Sequence, residues 1–139
     1  MALNLNEFKR FEKQIILKKI GITGQKKIKK AKVLIIGMGG LGCPLLSYLA
    51  SSGISNIGIV DHDKIELGNL NRQILFDSSD LGKYKVNQAK VKIKNIYSQI
   101  KIKSFKIKIA NKNIEKILKE YDIIWDGTDN FDTRLLINE

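Results

Sequence analysis

Hydrophobic positions along this chain switch between two periods. Val33 to Gly37 (VLIIG) is uniformly apolar and rich in β-branched residues, as a strand covered on both faces of a parallel sheet should be. Leu45 to Ser52 (LLSYLASS) predicts a helix stopped by Gly53, with Pro44 in its first turn, where a missing N–H costs little. Asn56 to Asp61 (NIGIVD) predicts a second strand, so Val33 to Asp61 reads as one βαβ unit. Val86, Ala89, Ile93, Ile96 and Ile100 mark one face of an amphipathic helix. Phe105, Ile107 and Ile109 alternate with Lys106 and Lys108, which predicts a strand near a sheet edge guarded by lysines. A short helix over 113–120 and a fourth strand at Tyr121 to Trp125 (YDIIW) follow, and the chain then enters DGTDN and the start of another helix.

Upstream of the first strand, Phe8, Phe11, Ile15 and Ile16 recur at helical spacing. GITG then reads as a glycine-punctuated link, and QKKIKKAK as a lysine-rich approach to the core. The division expected is an N-terminal helical arm over 1–30 and an α/β domain over 31–139. Val33 to Val60 carries no charged side chain and is long enough to span a bilayer, but six glycines and Pro44 interrupt it. A buried strand, helix and strand account for it better than a membrane helix.

Composition narrows the picture only a little. A chain of 139 residues, 43% apolar and 28% charged, suits one domain with a single core. The net charge of +11 invites nucleic acid or an anionic membrane as partner, yet of 25 basic side chains only Arg10, Arg72 and Arg134 are arginine. The lysines run through every predicted element, so they read first as a solvated surface and second as attraction to an acidic partner. Cys43 is the one cysteine, which excludes an internal disulfide and a thiolate zinc site in this stretch and suits a reducing cytoplasm. The opening MALNLNEFKR lacks the apolar run of a signal peptide.

Candidate chemistry begins at the segment GMGGLG, placed between a strand and a helix. Gly37 permits the tight turn, Gly39 allows the backbone to approach a phosphate or ribose, and Gly42 lets the helix pack on the strand. The helix N-terminus beyond it offers N–H groups to an anion. With Asp61 at the tip of the second strand, placed for ribose hydroxyls, the pattern indicates a Rossmann-like, mostly parallel sheet with flanking helices that binds a nucleotide. The polar stretch after Asp61 holds Asn69, Asn71, Arg72 and Lys85, more than a dinucleotide needs and suited to neutralising a leaving pyrophosphate. Asp126, Asp129 and Asn130 end the fourth strand at the carboxyl edge. There a carboxylate can hold Mg²⁺, and either Asp129 or Asn130 can instead cap the next helix. His62 reads as solvent-facing and Cys43 as a small buried residue.

RFEKQIIL, GQKKIKKAKVLIIGMGGLGCPLLSYLASSG, IVDHD, NLNRQILF, GKYKV and WDGTDNFDTR, in that order and spacing, closely resemble the ThiF/MoeB/HesA family of ubiquitin-activating-enzyme-like adenylyltransferases across essentially the whole chain. The resemblance implies that Gly40 and its neighbours contact ATP, Asp61 the ribose, Asn69, Arg72 and Lys85 the phosphates, and Asp129 the Mg²⁺, with Asn130 beside it. It implies adenylation of the C-terminal glycine carboxylate of a small ubiquitin-like sulfur-carrier protein ending in Gly-Gly, in thiamine or molybdopterin synthesis. It further implies a cytoplasmic homodimer in which Lys13, standing where the family usually has arginine, completes the partner's site. Family members continue with the rest of the sheet and paired C-x-x-C zinc ligands, so a sheet cut short after four strands is expected here, and zinc belongs to a downstream part. A non-catalytic partner subunit of the same fold, a tRNA-modifying relative and an NAD-dependent oxidoreductase stay open as alternatives.

Overall fold

A computed structural model describes residues 2–139. Three helices lead, α1 (Leu5–Arg10), α2 (Glu12–Ile15) and α3 (Gly21–Lys30). Strand β1 (Lys32–Ile36), helix α4 (Gly42–Ser52) and strand β2 (Asn56–Val60) form the expected βαβ unit. Two 3₁₀ turns at Leu67–Asn69 and Ser78–Asp80 punctuate the polar stretch before α5 (Lys85–Ile96). Strand β3 (Lys101–Phe105), α6 (Asn111–Leu118), β4 (Ile123–Asp126) and α7 (Phe131–Asn138) complete the described elements. The four strands make one parallel sheet in the order β3-β2-β1-β4.

Side-chain alternation sends the two faces of the sheet into two cores. Val33, Ile35, Ile57 and Ile59 pack with Leu46 and Ala50 of α4, Val86, Ala89 and Ile93 of α5, and Phe11 of the leading segment. Leu34, Ile36 and Val60 face the other way, onto Ile109 and onto Ile114 and Ile117 of α6. Both helical layers are therefore tied to the same strands, and the strand tips are held from both sides. Strand β4 lies at the outside of the sheet, with Ile123 and Trp125 about half exposed.

The structure corrects four details of the pattern. GITG is no link: it opens α3, where Gln25 is fully buried and its amide reaches the Ser52 carbonyl at 2.9 Å and Gln14 at 2.8 Å. Tertiary hydrogen bonds thus override the poor helix propensity of two glycines. The leading helix breaks at Phe11, which is buried, while Phe8 and Ile16 are exposed. Ile100 lies past the end of α5 and is buried from a turn closed by its N–H to the Tyr97 carbonyl. The edge strand ends at Phe105, because the Asp61 N–H takes the Phe105 carbonyl at 3.2 Å and β2 supplies no further partner; Ile109 then turns into the α6 core.

The leading segment is anchored by a buried acid. Glu7 is 3% exposed, pairs with Lys29 at 2.8 Å, accepts the Asn4 N–H at 2.8 Å and takes the Tyr97 hydroxyl at 3.1 Å. Burial pushes its pKa up, but the Lys29, Asn4 and Tyr97 hydrogen bonds outweigh this and hold it below the ordinary 4.5. A folded-state pKa below the unfolded one stabilises above the unfolded value, and that stabilisation is lost as pH falls through the folded one. Glu7→Gln is therefore expected to cost about 3 kcal/mol at pH 7, since it leaves Lys29 without its carboxylate. The variant should also lose less of its remaining stability than wild type as pH falls below 4.5. Urea unfolding across that range checks both, and parallel pH profiles would show that Glu7 carries no such linkage.

Candidate functional site

The strand order reverses between β1 and β4, and a parallel sheet opens its crevice at such a switch point, at the carboxyl ends of the strands. A cleft of about 710 Å³ lies there. Gly37 leaves β1 with φ +96°, and a Cβ on it would stand 3.0 Å from the Gly127 carbonyl oxygen, so the turns after β1 and β4 pass in contact. Gly42 is tighter still: a Cβ there would meet the Gly37 carbonyl oxygen at 1.9 Å. Only glycine lets α4 start this close to the end of β1.

Of the residues singled out from sequence, Gly37, Gly39, Gly40, Asp61, Asn69, Arg72, Lys85, Asp129 and Asn130 all line this cleft. Gly42 sits behind it as the packing contact. Asp61 holds the glycine loop, since one carboxylate oxygen accepts the Met38 N–H at 2.8 Å and the other the Asp63 N–H at 2.8 Å. Each oxygen keeps a further lone pair for a ligand hydroxyl. The Arg72 side chain lies over Gly40, where a Cβ would be 3.3 Å from its Cγ, and its guanidinium donates to the Gly68 carbonyl and the Asn71 amide oxygen, both at 3.0 Å. Asn69 uses its side-chain oxygen to accept the Glu66 N–H at 2.9 Å, closing the 3₁₀ turn.

Lys85 begins α5 with its side chain only 7% exposed, and its nearest carboxylate is Asp63, at 3.9 Å. A buried ammonium so loosely paired is a strong anion attractor in a low-dielectric wall. Across the cleft, Asn130 caps α7 by accepting the Thr133 N–H at 3.1 Å. That leaves Asp129 exposed and without a hydrogen-bonding or ionic partner among the described residues. The capping and free-carboxylate roles are thus divided between neighbours. This donor set fits a Mg²⁺–triphosphate: a free carboxylate and two cations beside a glycine turn.

Lys13 is exposed on α2 and lies outside the lining of its own chain's cleft. Arg10, three residues earlier, is engaged within the chain, donating to the Ile96 carbonyl and lying 5.0 Å from the centre of the Tyr97 ring. Gln73, Thr128 and Arg134 also line the cleft and were missed in the sequence. Arg134 grips the Thr128 carbonyl through Nε at 3.1 Å and Nη2 at 2.6 Å, with Asp126 3.8 Å away. The scarcity of arginine that pointed to Arg72 points equally to Arg134. Gln73 follows Asn69 by one helical turn, as its N–H to the Asn69 carbonyl shows, and that spacing was legible.

Comparison with known proteins agrees with this fold. The ThiF family model matches residues 11–139. The chain belongs to the ThiF family. It is 46% identical over 137 residues to the adenylyltransferase and sulfurtransferase MOCS3 of Culex quinquefasciatus, covering 99% of this chain and 31% of that protein. It is 35% identical over 139 residues to the sulfur carrier protein adenylyltransferase of Thermus thermophilus, covering all of this chain and 51% of that one. The chain thus spans 31% of the first of these relatives and 51% of the second. Among solved structures, E. coli MccB with AMPCPP and MccA superposes with a TM-score of 0.76 at 35% identity, over 82% of this chain and 33% of that one. E. coli tRNA N6-threonylcarbamoyladenosine dehydratase, TcdA, shares the fold at a TM-score of 0.92 and 21% identity, over 99% of this chain and 57% of that one.

Cys43, at the start of α4, is fully buried, and burial pushes its thiol up to about 12 despite the nearby Lys85 charge. The thiolate is the reactive form, so the native thiol is inert. Cys43 is expected to resist a thiol reagent such as iodoacetamide at pH 8 and to react fully in denaturant, as mass spectrometry would read. Rapid labelling of the folded chain would overturn this assignment.

Proposed function

We propose that the cleft binds ATP and that the protein, at its full length, adenylates the C-terminal carboxylate of a small ubiquitin-like sulfur-carrier protein ending in Gly-Gly. The observation that carries this reading is the convergence of Arg72, Lys85 and the free carboxylate of Asp129 around the glycine loop at the switch point. Relatives named as adenylyltransferases and the MccB structure holding AMPCPP and MccA support it. The relatives' names favour a sulfur carrier over a modified RNA base as the acceptor. Thiamine or molybdopterin synthesis is the matching context.

A carrier carboxylate is already ionised at neutral pH, so the step needs no general base. One carboxylate oxygen bonds to the α-phosphorus of ATP, the bond from that phosphorus to the bridging oxygen breaks, and pyrophosphate leaves with its charge. The glycine turn after β1 receives the phosphates, and Asp61 receives the ribose hydroxyls. Asn69, Arg72 and Lys85 orient the triphosphate and stabilise charge building on the leaving group, which makes catalysis a matter of position and electrostatics. Asp129, with Asn130 beside it, would hold Mg²⁺, which supplies Lewis-acid neutralisation of phosphate oxygens when bound. A second copy of the chain would bring its exposed Lys13 to this cleft, completing a homodimer in a soluble cytoplasmic setting.

Carrier-dependent exchange of pyrophosphate into ATP by the full-length protein tests this reading. Asp129→Ala should abolish exchange with the fold intact by circular dichroism. Arg72→Ala should cost on the order of a hundredfold, the usual loss for one charge-stabilising donor. Full exchange by Asp129→Ala would remove the metal role. Lys13→Ala should cost roughly thirtyfold, about 2 kcal/mol of transition-state stabilisation, and Lys13→Arg should be faster than wild type. Unchanged exchange in Lys13→Ala would confine the site to one chain.

A further inference from the structure

Lysines that look scattered along the sequence converge at the other end of the sheet. A groove of about 510 Å³ lies at the amino ends of the strands, lined by Lys32 of β1, Lys101 and Lys103 of β3, Lys90 and Lys94 of α5, and Lys119 after α6. Strands of five residues put it on the order of 15 Å from the nucleotide cleft, with the sheet between them. Glu120 is the one carboxylate lining it, and it is already paired with Lys103 at 2.7 Å. Lys119 has Glu115 at 3.6 Å. The Asp122 carboxylate, outside the lining, accepts the Lys32 backbone N–H at 3.0 Å. Lys32, Lys90, Lys94 and Lys101 have no carboxylate within ion-pair distance of their ammonium groups among the described residues.

We propose that this groove is a second anion site, which takes a compact polyphosphate such as pyrophosphate, tripolyphosphate or the phosphate tail of a nucleotide. Uncompensated like charges around one concavity repel, and a multivalent anion relieves all of them at once. Buried Ile57, Ile100 and Ile102 contribute to its lining, while Lys32, Lys94, Lys101, Lys103 and Lys119 stay exposed. The volume suits a small ligand. Every cation in it is a lysine, a point charge without the planar fork of arginine, so the groove selects charge density over shape. It offers no stacking platform for bases, since Tyr121 is turned under the sheet: a Cβ on Gly58 would strike its hydroxyl at 2.3 Å. That disfavours single-stranded RNA. The site stands independently of the adenylation reading.

Lysine acetylation of the full chain, read by mass spectrometry with and without tripolyphosphate at physiological salt, locates the anion without confusing it with the cleft. Lys32, Lys90, Lys94 and Lys101 should be protected together, while exposed Lys26, Lys27 and Lys112 label at an unchanged rate. Calorimetry should show the Lys90→Gln/Lys94→Gln variant binding tripolyphosphate at this site about tenfold more weakly, with protection of Lys101 lost. A Lys26→Gln/Lys27→Gln variant of equal net charge should behave as wild type. Uniform slowing of all lysines, protection confined to Lys85, or equal weakening in both variants would overturn the proposal. So would an RNA oligonucleotide that protects these lysines where tripolyphosphate does not.

Discussion

Gly42 stands so close to the end of β1 that any side chain on it would occupy the space of the Gly37 carbonyl oxygen. That contact brings the start of α4 onto the strand tip beside the crevice between β1 and β4. Gly37 can turn there only with a left-handed backbone, in contact with Gly127 after β4. Asp61 then takes the Met38 N–H and so fixes the loop from the β2 side. The cleft exists because three strand tips meet with almost no side-chain volume between them.

Charge is distributed around that point with little internal cancellation. Lys85 is buried with only a distant carboxylate, Arg72 lies across Gly40, and Asp129 is left free because Asn130 does the capping. The same polar stretch is braced from outside: Lys92 of α5 clamps Asp77 and the buried Asp80, and Lys92 and Ser79 hold the Asp77 pKa down near 2. The loop bearing Asn69 and Arg72 is thus held to the helix that begins with Lys85. Such pre-organisation is what a reaction driven by positioning and charge requires.

Much of this was legible in the sequence because it depends on local pattern. The βαβ unit follows from an apolar run, a glycine turn and a second apolar run, and those signals need no distant partner. The four misreadings all have tertiary causes. GITG becomes helix because Gln25 finds Gln14 and Ser52, and the edge strand stops at Phe105 because β2 has ended. Lysine positions were legible singly but not jointly, since Lys32, Lys90 and Lys101 meet only once the sheet has formed. Arg134 was visible as a rare arginine, yet its grip on the Thr128 carbonyl depends on how α7 returns over the β4 turn.

We propose that the cleft between β1 and β4 is built for a triphosphate and not for a dinucleotide. Equilibrium binding of ATP and of NAD to the folded chain, each with and without Mg²⁺, tests it most directly. ATP should bind saturably, more tightly with Mg²⁺ and more weakly in Asp129→Ala, with NAD bound far more weakly and indifferent to the metal. NAD bound as tightly as ATP, or ATP binding unchanged by both Mg²⁺ and the loss of Asp129, would contradict it.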